Sequence, residues 1–277
     1  MERVVWLLNL KIKAATAMST RTKTRTKVPQ APLPEVNFSD DGTTRYLHLG
    51  SPWVQGSMRL DKPYALDLEY IQRMMAWLLF FDPARLSSLR AMQLGLGAAS
   101  LTKFCRKKLL MNTTAIEINP QVVLACRTWF KLPADDAKLQ VVLADAIQEI
   151  TRDHWQRTVD ALMVDLYDDD AKAPVANDAP FYENCRALLT DDGVMTVNLF
   201  GRSSHFEETL TVLREVFGEA CVWCLKPTRE GNTIVIATRT PRALTNEQLA
   251  DVAQAVANHS GLPAKKWLKV IQRPNFP

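Results

Sequence analysis

Residues 89–94, Leu89-Arg90-Ala91-Met92-Gln93-Leu94, run straight into Gly95-Leu96-Gly97-Ala98-Ala99-Ser100. A short apolar run, two closely spaced glycines, and helix-period sequence continuing to residue 108 predict a strand, a tight turn and a helix. Glycine suits such a turn because it takes backbone conformations that a side chain obstructs and lets a ligand approach the main chain. The third glycine of a dinucleotide fingerprint is missing, and so is any lysine-bearing phosphate loop. A ligand with ribose and base but no pyrophosphate fits the turn better.

Outward from this stretch the same rhythm repeats. A second strand over 111–118 reaches Glu117, 22 residues after Gly95, and Asn119-Pro120 opens the next helix as N-cap and first residue. A third strand, 139–143, leads to Asp145-Ala146 and a helix-like segment over 147–156. A fourth, 159–164, leads to Asp165. A helix over 181–189, a turn at Asp191-Asp192-Gly193 and a fifth strand over 194–199 follow. The alternation predicts βαβ units and a parallel sheet. Runs 220–225 and 233–238 are too close for a crossover and predict an antiparallel edge pair, which points to a nucleoside-methyltransferase arrangement rather than a dehydrogenase one. Upstream, 43–60 reads as a hairpin and 68–80 as a helix stopped by Asp82-Pro83. Downstream, Thr245 and Gln248 form a capping box for a helix reaching His259, ended by Gly261 and Pro263.

The strand ends carry the chemistry, since open parallel sheets bind ligands at their carboxyl rim. A carboxylate at Glu117 can accept from both hydroxyls of a ribose. Asp145 can accept from an adenine amino group while the Ala146 backbone reads the ring edge. Each acid taken singly is also an ordinary helix cap. The run Asp165-Leu166-Tyr167-Asp168-Asp169-Asp170 crowds four carboxylates into six residues, which is costly unless they are solvated or matched by a cation. Asp165 and Asp168 are the expected inward pair, one of them taking a proton from an attacking amine. Tyr167 adds a ring and a hydroxyl, and Asn198 ends the fifth strand in the same region. The competing reading of this run is an exposed acidic loop. His48, His154, His205 and His259 have no ligand spacing, so no metal site is expected.

The 277 residues, 47% hydrophobic and 23% charged, are ordinary globular composition. No apolar run is long enough to span a bilayer as a helix. Five cysteines are too few for a disulfide scaffold and are expected to be reduced and mostly buried, consistent with a cytoplasmic location. The net charge of +4 arises from the first 30 residues, where seven basic residues face only Glu2, so the rest of the chain carries −2. The tail, residues 1–34, is expected to be disordered, and Met18 is an alternative translation start. Nucleic-acid binding is not expected, because no aromatic residues are interleaved with the tail's basic ones.

Ser51-Pro52-Trp53-Val54-Gln55, Leu94-Gly95-Leu96-Gly97, Ala115-Ile116-Glu117-Ile118-Asn119-Pro120, Leu143-Ala144-Asp145-Ala146, Asp160-Ala161-Leu162-Met163-Val164-Asp165 and Phe181-Tyr182-Glu183-Asn184-Cys185 stand in an order and spacing that resembles the spermidine synthase family, over roughly residues 43–240. The resemblance implies an α/β, Rossmann-like S-adenosylmethionine-dependent methyltransferase fold, with a mostly parallel seven-stranded sheet and an antiparallel C-terminal hairpin, preceded by a small β-hairpin domain. The expected division is 35–66 for the β domain, 67–240 for the Rossmann-like domain and 241–277 for a C-terminal helix and tail. The implied activity is transfer of an aminopropyl or related group to an amine acceptor from decarboxylated S-adenosylmethionine, or a reaction of S-adenosylmethionine itself, used as a co-substrate rather than a tightly bound cofactor. The implied assembly is a homodimer. Carried over by position, Gln55 and Glu117 hold the donor's ribose region, Gly95 and Gly97 form the donor turn, Asp145 meets the adenine, and Asp165 and Asp168 are the acids of the reaction site. The sequence also departs from the family. Ala98 stands where the family has an aspartate that grips the donor's amine. Ile71-Gln72-Arg73 replaces a tyrosine–x–glutamate that holds the polyamine, Trp77 replaces a histidine, and Asp169 replaces a proline. Trp53, Tyr64 and Trp77 either narrow the acceptor pocket or belong to the core. Methyl transfer on the same scaffold and a non-catalytic nucleoside-binding relative are the alternatives.

Overall fold

The structure, a computed structural model, describes residues 33–167, 176–200 and 204–273. The basic tail before residue 33 and Asp168, Asp169 and Asp170 lie outside the described residues.

Strands β1 (Val36–Asp40), β2 (Thr44–Leu49) and β3 (Val54–Arg59) pair antiparallel in that order. The hairpin read over 43–60 is β2 and β3, and β1 adds a third strand. The run read as one helix over 68–80 is instead α1 (Glu69–Met74) followed by a 3-10 helix, Met75–Phe80. Two causes meet at the junction. The Thr196 hydroxyl takes the Met74 carbonyl, which an α-helix would have given to the amide four residues on. All residues from Met74 to Leu79 are also fully buried, so the segment threads the core instead of lying on it with one apolar face.

Next come β4 (Arg90–Leu94), α2 (Ser100–Lys107), β5 (Asn112–Glu117), α3 (Pro120–Thr128), β6 (Leu139–Leu143), α4 (Ala146–Glu149), β7 (Val159–Val164), α5 (Ala179–Leu188) and β8 (Leu189–Phe200). The helix-like segment over 147–156 resolves into the single turn of α4 and a 3-10 turn, Asp153–Trp155. The expected turn at Asp191-Asp192-Gly193 is an irregularity inside β8: the register with β7 jumps from Val159↔Leu189 to Ala161↔Val194. α6 (Ser204–Phe217), which the strand-centred reading passes over, leads to β9 (Val222–Leu225) and β10 (Asn232–Thr238). The chain closes with α7 (Asn246–Ser260), α8 (Ala264–Trp267) and a two-residue β11 (Ile271–Gln272). The capping box at Thr245 and Gln248 is present, and Gly261 ends α7 in the left-handed conformation.

The large sheet has the order β11-β9-β10-β8-β7-β4-β5-β6. β8, β7, β4, β5 and β6 are mutually parallel, and β10, β9 and β11 are antiparallel additions. The seven expected strands are all there, with β11 as an eighth. Side chains alternate between two cores. Ala91, Ala161, Met163, Val194, Ile234 and Ile236 face α1, α2, α7 and the buried Trp77. Met92, Leu162, Val164, Met195, Val197 and Val235 face α5 and α6. Burial on both faces is why the strands read as nearly continuous apolar runs. A third cluster packs Leu47 and Met58 of the small sheet onto Leu96, Ala98 and Ala99 of the glycine turn and Val122, Cys126 and Phe130 of the α3 region.

Among the described residues, no helix is long and apolar enough to cross a membrane. All five cysteines are free, four of them buried and Cys224 partly so.

Candidate active site

The chain reverses its direction of sheet growth at β4, which pairs with β5 on one side and β7 on the other. In open parallel sheets ligands bind at such a reversal, at the carboxyl ends of the flanking strands, here β4 and β7. The ladder runs one residue past each strand: Gly95 N–H donates to Ile116 O and Asp165 N–H to Leu94 O, both at 3.0 Å. Gly95 has φ +82°, and a Cβ there would overlap the Asp165 carbonyl. Gly97 has φ +51°, and its missing Cβ faces the Gln55 carbonyl at 3.2 Å. The two glycines thus serve different neighbours, one the β7 terminus and one the small sheet.

Glu117 is buried, with 8% exposure. Its Oε2 accepts from Leu96 N–H at 2.9 Å and its Oε1 from Asn119 N–H at 2.8 Å. Burial pushes its carboxyl up from the ordinary value, and the backbone donors oppose that push. Asp145, half-buried, caps α4 by accepting from Ile147 N–H at 2.9 Å, so the capping role allowed from the sequence is present. Ala144 N–H donates to Glu117 O at 2.9 Å, which sets the β6 exit, with Asp145 and the buried Ala146, beside Glu117. Ile118, Leu143 and Ile147 are exposed apolar residues around these acids.

Asp165 is half-buried, and its Oδ1 accepts from Asn198 Nδ2 at 2.9 Å. Burial pushes its carboxyl up, and the Asn198 donor pulls it back. The Tyr167 hydroxyl donates to Asn198 O at 2.8 Å. The structure thus gathers Gln55, Gly95, Gly97, Glu117, Asp145, Ala146, Asp165 and Tyr167 along one rim, and the expected partner acid Asp168 lies outside the described residues.

Several contributors were not legible as site residues. Gln93, 3% exposed inside β4, donates to Gly95 O at 2.6 Å and accepts from Thr102 N–H at 3.0 Å, bracing the turn against α2. A glutamine at an inward strand position was the available signal. Gly56 lacks a Cβ because one would lie 2.7 Å from Ala98 Cβ. Beneath the turn the Cys126 thiol donates to Gly97 O at 3.1 Å, and Lys103, fully buried, donates to Phe130 O at 2.7 Å. Tyr70 of α1 stands near Asp165 and Tyr167, and burial pushes its hydroxyl well up. Arg73 is also buried, but it is held by Glu69 at 2.6 Å and by the Lys226 carbonyl, so its charge is already matched. Trp77 is core, edge-on to Phe81, whereas Trp53 is exposed.

The model of the spermine/spermidine synthase domain matches residues 97–248. Polyamine aminopropyltransferase of Neisseria meningitidis serogroup A is 32% identical over 255 residues, covering 91% of this chain and 94% of the relative. The chain belongs to the spermine/spermidine synthase family. A second member, polyamine aminopropyltransferase of Chromobacterium violaceum, is 31% identical over 245 residues, covering 88% and 91% of the two chains. Among solved structures, a probable spermidine synthase from Corynebacterium glutamicum superposes with a TM-score of 0.68 at 19% identity, covering 90% of this chain and 98% of the other. Spermidine synthase from Thermotoga maritima gives 0.54 at 16% identity, with 86% and 87% coverage. These two likenesses establish the spermidine-synthase-like fold, a small antiparallel sheet before a mixed Rossmann-like sheet. Within the family this is a divergent member. Ala98 and Arg73, the positions expected to depart from the family, are both buried in the fold, the first against Gly56 and the second against Glu69.

Proposed function

We propose that this protein transfers an aminopropyl or related group from an S-adenosyl nucleotide to an amine acceptor. The observation that carries the reading is Asp165. It is a half-buried carboxylate just past the end of β7, and its own backbone abuts the glycine turn.

In this reading the outward lone pairs of Glu117 accept from ribose hydroxyls, Gln55 closes the ribose side over Gly97, and Asp145 with Ala146 meets the adenine between exposed apolar neighbours. Asp165 and Tyr167 then face the reacting end. The acceptor nitrogen attacks the carbon bound to the sulfonium, the C–S bond breaks, and sulfur keeps the electron pair as a neutral thioether. The nitrogen's surplus proton passes to a carboxylate, for which Asp165 is the candidate among the described residues. Holding both reactants in one crevice supplies much of the remaining acceleration. By its family resemblance the protein is also proposed to act as a homodimer, which light scattering would read.

Ala98 favours a second reading, methyl transfer from S-adenosylmethionine. Without a carboxylate there, nothing at that position selects a donor lacking its own carboxylate. Calorimetric titration with S-adenosylmethionine, its decarboxylated form and methylthioadenosine, followed by mass spectrometry of products with a diamine, separates the readings. Binding of the decarboxylated donor with release of methylthioadenosine supports the first. Preference for S-adenosylmethionine with a methylated product replaces it with the second. Nucleoside binding without turnover leaves a non-catalytic relative.

A further inference from the structure

Asp165, Asn198 and Asn232 form a chain of side chains across three strands. Asn198 Nδ2 donates to Asp165 Oδ1 at 2.9 Å, and Asn232 Nδ2 donates to Asn198 Oδ1 at 3.1 Å. Both asparagines are buried. Asn198 pairs with Ile234 across β8 and β10, so Asn232 is its diagonal neighbour on the same face of the sheet. The backbone of Asn232 is itself pinned. Its N–H donates to the Thr228 hydroxyl at 3.1 Å and its carbonyl accepts from Thr228 N–H at 2.7 Å.

A side-chain amide can turn either its N–H or its carbonyl toward a neighbour. Reversing both amides here would set Asn198 Oδ1 against a carboxylate oxygen, which repels unless the acid is protonated. An ionised Asp165 favours the Asn198 N–H on one side, and a donor to Asn198 Oδ1 on the far side favours the same arrangement. We propose that Asn232 is a positioning residue for Asp165: by donating to Asn198 Oδ1 it holds the Asn198 amide with its N–H, not its carbonyl, toward the Asp165 carboxyl. Asp165 is thereby kept ready to accept a proton despite its burial. That last role rests on the transferase reading, whereas the amide arrangement does not. Among the described residues, the other titratable group near Asp165 from a packed element is Tyr70 of α1, whose hydroxyl burial pushes well up, while the Tyr167 hydroxyl donates to Asn198 O. Arg73, one turn beyond Tyr70, is turned to Glu69 and to the Lys226 carbonyl.

The test is a carbon-13 NMR titration of the Asp165 carboxyl in the ligand-free wild type, Asn232→Ala and Asn232→Asp, with folding checked by thermal denaturation. Asn232→Asp is isosteric and, once ionised, accepts only, so it pulls the Asn198 N–H away from Asp165. The Asp165 midpoint is expected to rise by about one pH unit in Asn232→Asp and by roughly half that in Asn232→Ala. Unmoved midpoints in folded variants overturn the proposal. A rise in Asn232→Asp alone, with Asn232→Ala unmoved, is a charge effect and also overturns it. If Asn232→Asp does not fold, Asn232→Ala decides. No substrate enters this titration, so a moved midpoint in a protein that transfers nothing upholds the positioning and counts only against the transferase reading.

Discussion

The Leu96 amide donates to Glu117 Oε2 at 2.9 Å, and this one hydrogen bond ties the glycine turn after β4 to the end of β5. The same carboxylate holds the Asn119 amide at the mouth of α3. Glu117 is therefore a structural clamp before any ligand arrives, and the same side chain is the proposed ribose acceptor.

Glu117→Ala should accordingly weaken nucleoside binding by about 1.5–3 kcal/mol, the scale of hydrogen bonds to a charged group, and should also lower stability because two backbone donors lose their acceptor. Isothermal titration with methylthioadenosine alongside urea unfolding checks both. Unchanged affinity would take Glu117 out of the binding site.

Gly95→Ala puts a Cβ into the Asp165 carbonyl at a backbone conformation that disfavours side chains. The expected loss is at least about 2 kcal/mol of unfolding free energy. Gly56→Ala would collide instead with Ala98 and should loosen the small sheet from the turn. A Gly95→Ala protein as stable as the wild type would show that the two strand ends do not meet this closely.

Asp165→Asn should reduce group transfer by about 10²–10⁴-fold while leaving methylthioadenosine affinity within a factor of a few, because the residue is placed at the reacting end and not at the ribose. Steady-state kinetics and calorimetry on the same preparation read the split. Full turnover in the variant would remove Asp165 from the mechanism.

Lys103 carries a pH signature. Burial lowers its ammonium from 10.5 to about 8. Between these two values the unfolded chain binds more protons at this lysine than the folded one, so unfolding free energy should rise with pH across that window, by an amount on the order of 1–3 kcal/mol. Denaturant melts from pH 7.5 to 10.5 on wild type and Lys103→Met test it. The extra rise should vanish in the variant, and parallel curves would refute it.

The strand–turn–helix at 89–108, the Asn119 cap, the capping box at Thr245 and the apolar runs of β7 and β10 rest on local chemistry: backbone sterics, side-chain caps and continuous apolar stretches act over a few residues and leave their mark in sequence order. The rim positions of Gly95, Glu117, Asp145 and Asp165 followed because strand ends in a parallel sheet share one edge. Long-range packing decided the rest. Whether residues 68–80 stay α-helical depends on Thr196, 122 positions from Met74. Whether Arg73 presents an unmatched charge depends on Glu69 and on a carbonyl at Lys226, 153 positions away. Ala98 lies against Gly56, and Asn198 is held between Asp165 and Asn232. Such contacts have no period and no fixed spacing, so they arise only when the folded chain brings distant residues within reach of one another.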